Sequence, residues 1–201
     1  MLTTGPATYR LSFSIGSLFL DESLLLARSY QERSDWPYVA EQALQSLSFR
    51  TQSSARRTVR EIIARLRSLH MDELEFFTRS SRHEQGHLLW LATCRTYGFV
   101  ADFASEILQE RYARFQEDLG YDHFDSFFDA KAEWHPELAE LKPSTRAKLR
   151  QVLFRILREA DLVSQSGKIM RTLLSPALQD LIIAHEPKEL RFFPGASGLS
   201  A

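Results

Sequence analysis

The chain has 201 residues, a formal net charge of -1, 44% hydrophobic and 25% charged residues, and one cysteine. This is enough apolar material for a real core in one or two domains. It excludes a disordered chain, an intramolecular disulfide framework, and a protein drawn to nucleic acid by bulk charge alone. Cys94 lies in an apolar run and reads as a small core residue. Leu11 to Leu20 is uncharged but too short to span a bilayer, and Asp21 and Glu22 end it. The expectation is a cytoplasmic protein, neither secreted nor membrane-spanning.

The pattern is helical nearly throughout. Acids ahead of Ser23 lead into LLLARSY, a short amphipathic helix. Asp35 reads as an N-cap, with Pro37 in the first turn of a helix reaching about Leu47. After the break RTQSS, Ser53 or Ser54 caps a helix from about Ala55 to Leu69. Val59, Ile62, Ile63, Leu66 and Leu69 recur there at helical spacing, with arginines on the other face. Asp72 starts a short helix to Thr78. Ser80 or Ser81 opens one to Tyr97, apolar all round at LLWLA and therefore expected at the core's centre, and Gly98 ends it. Phe99 to Leu119 is expected as an amphipathic helix stopped by Gly120. Asp122 caps a helix whose Phe124, Phe127 and Phe128 belong to the core.

The stretch WHPELAELKPSTRAKLRQVLFRILREADL, Trp134 to Leu162, reads as a short helix, a turn and a long basic helix ending in an apolar corner. Leu162 to Leu174 follows as a two-stranded wing with Gly167 near its tip. A helix over Pro176 to Ala184 and a loose PGASG end complete the chain. The fold class predicted is all-α: a helical bundle with a helix-turn-helix-like part over residues 1–80, core helices over 81–130, and a winged-helix-like part over 131–201 with a short β-hairpin wing.

Charge is unevenly placed. Arg50, Arg56, Arg57, Arg60, Arg65 and Arg67 face one acid, Glu61, in their stretch. Lys142, Arg146, Lys148, Arg150, Arg155 and Arg158 have no acid among them. Between the two runs, Asp102 to Glu140 is strongly acidic. Solvated helix faces balanced by salt bridges would give the same pattern.

One segment has an enzymatic spelling. His83-Glu84-Gln85-Gly86-His87 matches H-E-x-x-H, in which two histidines one turn apart bind zinc and the Glu acts as general base. Zinc needs a third ligand, and Glu106 or Glu110 would be a guess. No H-x-x-G-x-x-H continuation follows, and the upstream sequence is helical rather than a sheet. No catalytic residue, metal or cofactor is assigned.

The binding reading rests on two helix pairs. In the first, Ser53 and Ser54 sit at a helix amino end able to hold phosphate, with Arg56, Arg57 and Arg60 on its outer face. In the second, Ser144, Thr145, Arg146, Lys148 and Arg150 occupy the first two turns of the long helix, where a recognition helix meets a DNA groove. Lys168 and Arg171 on the wing would reach adjacent backbone.

Pieces running in order from about Leu11 to Pro176 carry a family resemblance: SFSIGSLFLDES, Asp35-Trp36, RTQSSARRTVREIIARL, LLWLATCRTYGFVADFASE, KAEWHPEL and STRAKLRQVLFRILREADL. The chain resembles the BrxA family, small accessory proteins of bacteriophage-exclusion (BREX) defence systems. The resemblance implies an all-helical protein with helix-turn-helix and winged-helix-like parts that binds double-stranded DNA. It also implies work beside a DNA methyltransferase, a large ATPase and a phosphatase-like protein. The positions carried over are Ser53, Ser54, Arg56 and Arg57, and Ser144 to Arg146 with Lys148 to Arg150. The expected function is a non-enzymatic DNA-binding accessory protein. The alternatives are a protein-protein adaptor for the methyltransferase or ATPase, and an RNA-binding helical bundle.

Overall fold

A helix that is apolar on every side must be covered on every side. In the computed structural model, which describes residues 8–14, 16–47 and 51–196, that helix is α5 (Arg82–Thr96). Every residue from Gln85 to Cys94 is buried. Four helices and a 3-10 turn at Pro187–Phe192 pack around it: α1 (Leu20–Arg33), α3 (Gln52–Leu66), α4 (Met71–Arg79) and α10 (Pro143–Glu159). Trp90 sits at the centre and its indole N–H donates to the Phe192 carbonyl over 2.9 Å. The expected central position of LLWLA is what the structure shows, and one continuous apolar cluster runs from Phe13 to Ala196.

Local chemistry explains most helix starts. α2 (Trp36–Ser46) is capped by Asp35, which accepts from the Tyr38 N–H over 3.3 Å, with Pro37 in the first turn. α5 begins at Ser81 with Glu84 as the reciprocal member of a capping box. α11 (Pro176–His185) is capped by Ser175. α3 begins earlier than expected. Thr51, not Ser53 or Ser54, is its N-cap, and Ser54 is the third helical residue that closes the box with Thr51.

Other expectations fail for identifiable reasons. Gly98 does not end α5; extended backbone at Tyr97 does, and Gly98 opens α6 (Gly98–Asp102). The chain then continues through a π-helical segment, Phe103–Gln109, into α7 (Glu110–Ala113). It stops at Arg114, not Gly120, because Phe115 takes a left-handed conformation (φ 58°). Gly120 rather than Asp122 precedes α8 (Tyr121–Ala132), which places Phe124, Phe127 and Phe128 in the core as expected. After α9 (Pro136–Ala139) comes α10.

The β-hairpin wing does not form. Among the described residues there is no strand, only isolated antiparallel bridges pairing Val163 with Ile169 and Asp118 with Lys168. Gly167 does sit in the turn, at φ 83°. The ladder stops because the Ile169 N–H turns away to the Glu117 carbonyl (2.6 Å), and the Gly167 carbonyl accepts from Leu119 N–H (2.8 Å). The segment pairs with itself only briefly, through Ser164 N–H to the Lys168 carbonyl and Met170 N–H to the Leu162 carbonyl (2.8 Å each), and docks on the loop before α8. The PGASG end is not loose where described: Phe193 and Ala196 are buried, and the Pro194 carbonyl accepts from Thr172 N–H. Ser197 and Gly198 lie outside the described residues.

Two arginines inside the bundle are held in different ways, Arg95 by carboxylates and Arg65 by a carbonyl, with Arg65 Nε and Nη2 left without a partner among the described residues. The Arg95 guanidinium meets Glu73 at 2.5 and 2.8 Å and Glu189 at 2.7 Å, tying α4 and the C-terminal turn to α5. Arg65 of α3 is fully buried beside the Tyr97 ring and donates to the Ser17 carbonyl over 2.8 Å; burial lowers its pKa. Tyr97 hydroxyl donates to the buried Glu61 carboxylate.

His87 is buried with no partner for Nδ1. Burial first, and the neighbouring His83 second, lower its pKa from 6.5 to about 4. The unfolded chain therefore takes up a proton that the folded chain refuses, and stability falls as pH drops from 6.5 towards 4. Urea unfolding at pH 7 and pH 5 is expected to show a loss of roughly 2 kcal/mol from this residue. His87→Leu is expected to flatten that part of the difference; an unchanged difference would contradict the assignment.

Candidate nucleic-acid interface

Helical geometry sorts the α3 arginines. At about 100° per residue, positions 56, 60 and 67 lie within roughly 40° of one another, with 57 alongside, while 55, 58, 62, 65 and 66 point the other way. The structure agrees: Arg56, Arg57, Arg60 and Arg67 are exposed, and Ala55, Thr58, Ile62, Arg65 and Leu66 are buried. None of these four exposed arginines is ion-paired among the described residues. Ser53 is exposed at the same end of the helix, whereas the Ser54 hydroxyl is held by Thr51. Arg50 lies outside the described residues.

Between α2 and α3 runs a groove of about 530 Å³. Its floor is apolar, from Trp36, Ala40 and Leu44 on one side and Val59 and Ile63 on the other, and Arg10, Arg56, Arg60 and Arg67 line its rim. Arg10 is the rim member that sequence reasoning missed. It comes from outside any basic run and reaches the groove by pairing with Glu61 at 3.3 Å.

The second basic helix is arranged differently. Arg146 is clamped onto α8: its guanidinium donates to Asp129 at 2.5 and 3.0 Å and to Asp125 at 3.1 Å, and it stacks 4.6 Å from the Phe128 ring. Arg150 pairs with the same Asp125 and lies 4.7 Å over the Tyr121 ring. The Arg146 hydrogen bond holds the Asp129 carboxyl below its ordinary range. Lys148 is exposed and reaches only Gln151, Ser144 is exposed, and Thr145 is half-buried. Lys168 and Arg171 are exposed on the turn that replaces the wing. Of the two basic helices, α3 therefore presents uncommitted cations, while α10 commits two of its arginines to its neighbour.

The N-terminal segment links the two. Arg65 of α3 donates to Ser17 carbonyl, Arg155 of α10 donates to Gly16 carbonyl over 3.4 Å, and Glu159 of α10 accepts from Leu18 N–H over 2.7 Å.

The H-E-x-x-H residues have other employment. Glu84 closes the α5 capping box and accepts from the Ser175 hydroxyl over 2.6 Å, which lowers its pKa. His83 pairs with Asp161 at 3.1 Å. Glu106 and Glu110, the guessed third ligands, are bonded to Lys131 and Arg114. Among the described residues no group of three or more His, Cys, Asp or Glu side chains is arranged to hold a metal ion, and no helix is long and apolar enough to cross a membrane.

The family model for BrxA matches residues 7–186. The chain belongs to the BrxA family. A relative from Escherichia coli O9:H4 (strain HS), the BREX protein BrxA, is 28% identical over 162 residues, covering 81% of this chain and 72% of its own. The crystal structure of an uncharacterized protein from Magnetospirillum magneticum is similar with a TM-score of 0.77 at 19% identity, covering 92% of this chain and 97% of that one. That likeness extends the BrxA-family chain's helical fold to a distant sequence.

The α8 clamp makes a prediction. Arg146→Glu removes the charged hydrogen bonds and sets a carboxylate against Asp125 and Asp129, so it is expected to cost about 1–3 kcal/mol in urea unfolding. Lys148→Glu on the same helix is expected to stay within about 0.5 kcal/mol of wild type. Equal stability of the two variants would show that the clamp contributes nothing.

Proposed function

We infer that the chain is a non-enzymatic accessory protein of a BREX phage-defence system that binds double-stranded DNA, with α3 as the principal contact. The observation that carries this reading is the row of exposed arginines Arg56, Arg57 and Arg60, free of acidic partners among the described residues and next to the capped amino end of their helix. Backbone phosphates are recognised by such a row, and the positive end of the helix adds to the attraction. α2 and α3 pack against each other, and on this reading they are the two helices of a helix-turn-helix unit with α3 as the recognition helix. Lys148, Ser144, Lys168 and Arg171 extend the surface as secondary phosphate contacts. Family membership and the E. coli relative's BREX name support the defence role. On this reading the partners within the system are its methyltransferase, ATPase and phosphatase-like components. No base-reading side chain is assigned, so affinity is expected to depend weakly on sequence.

A mobility-shift titration with a 30-base-pair duplex tests this. The triple variant Arg56→Glu, Arg57→Glu, Arg60→Glu is expected to bind on the order of 100-fold more weakly, while Lys148→Glu loses only a few-fold. Wild-type affinity in the triple variant would place the site elsewhere. Competition by structured RNA at equal strength would replace DNA with RNA as the ligand.

A further inference from the structure

The groove between α2 and α3 has a chemistry that a nucleic-acid backbone does not use. Phosphate and sugar offer nothing to an apolar floor built from Ala40, Leu44, Val59 and Ile63. Leu44 is 37% exposed, a large side chain with one flank in water. The rim is entirely cationic, with Arg56, Arg60 and Arg67 lined up along α3 and no acid in the lining. Arg67 lies eleven positions after Arg56, which at 1.5 Å per residue gives a rim about 16 Å long, or about three helical turns. A positive rim of that length beside an apolar floor is complementary to a helix that carries one apolar stripe flanked by carboxylates.

We propose that this groove is a docking site for an acidic amphipathic helix of a partner protein, about three turns long. Its apolar residues at i, i+3 or i+4 and i+7 lie on Ala40, Leu44 and Ile63, and its flanking Asp or Glu side chains pair with Arg56, Arg60 and Arg67. Charge complementarity fixes the sign of the partner, and the length of the arginine rim fixes its size. The apolar floor is untouched by phosphates and so stands apart from the DNA reading, while Arg56 and Arg60 are shared, so duplex DNA and the partner helix compete for this rim.

The probe is a phage-displayed library of helix-forming 14-residue peptides, selected on the full chain. Enriched peptides are synthesised with a fluorophore and titrated by anisotropy. The expected result is enrichment of an apolar i, i+3/i+4, i+7 stripe flanked by Asp and Glu, with binding weakened at least tenfold by Leu44→Glu and by the pair Arg56→Glu, Arg60→Glu. Circular dichroism melting confirms that each variant is folded; Ala40→Glu serves as a second floor variant if Leu44→Glu is not. Enrichment of basic or uncharged peptides, no enrichment, or binding indifferent to both floor variants would overturn the proposal. Self-association of the chain that Leu44→Glu abolishes would also overturn it, assigning the groove to a second copy.

Discussion

The burial of α5 on all sides is the constraint from which the rest follows. A helix with no solvated face needs a complete sheath, so α1, α3, α4, α10 and the C-terminal turn each present their apolar side inward. What remains outside on α3 is a face of arginines, and on α10 a mixed polar face that includes Ser144, Lys148, Gln151, Arg155 and Glu159. The polarity of the surface is thus a consequence of how the core is closed. The capping box at Ser81 and the Glu73–Arg95–Glu189 network hold α5 in place from its two ends, one near the amino terminus and one near Thr96.

The two basic helices look equivalent as letters and are not equivalent as surfaces. An arginine within reach of a carboxylate on a neighbouring helix becomes a fastener, as Arg146 does on Asp125 and Asp129; one facing open solvent keeps its charge for a ligand, as Arg56 does. Asp125 and Asp129 belong to the acidic middle of the chain, whose charge is in part the counterpart of α10. The expectation that salt bridges absorb a basic helix holds for Arg146 and Arg150 of α10. It does not hold for the outer face of α3.

Much of this was legible from residues alone. The all-helical class, the cap at Asp35, a serine cap at Ser80 or Ser81, the core position of Leu88 to Cys94 and the inner stripe of α3 all follow from periodicity and capping chemistry. What was not legible depended on long-range partners. The wing failed because Ile169 finds Glu117 of a distant loop. Thr51 displaced Ser53 and Ser54 as the cap because the reciprocal Ser54 contact favours the earlier start. The turn at Pro187–Phe192 has no local periodicity to announce it; it is held by long-range contacts, the Phe192 carbonyl to Trp90 and Glu189 to Arg95. For the site, the arginines of α3 were visible as a run, but their freedom from partners was not. Arg10 entered the groove through Glu61, a contact spanning 51 positions that no local pattern encodes.

The central claim is that Arg56, Arg57 and Arg60 act as phosphate contacts. The slope of log affinity against log salt counts such contacts, because each neutralised phosphate contributes about 0.9 on duplex DNA. Measured between 50 and 300 mM salt, the slope for the variant Arg56→Gln, Arg57→Gln, Arg60→Gln is predicted to be shallower than wild type by about 2.7, three contacts at roughly 0.9 each. An unchanged slope, whatever the change in affinity, would mean that the α3 face does not meet the phosphates.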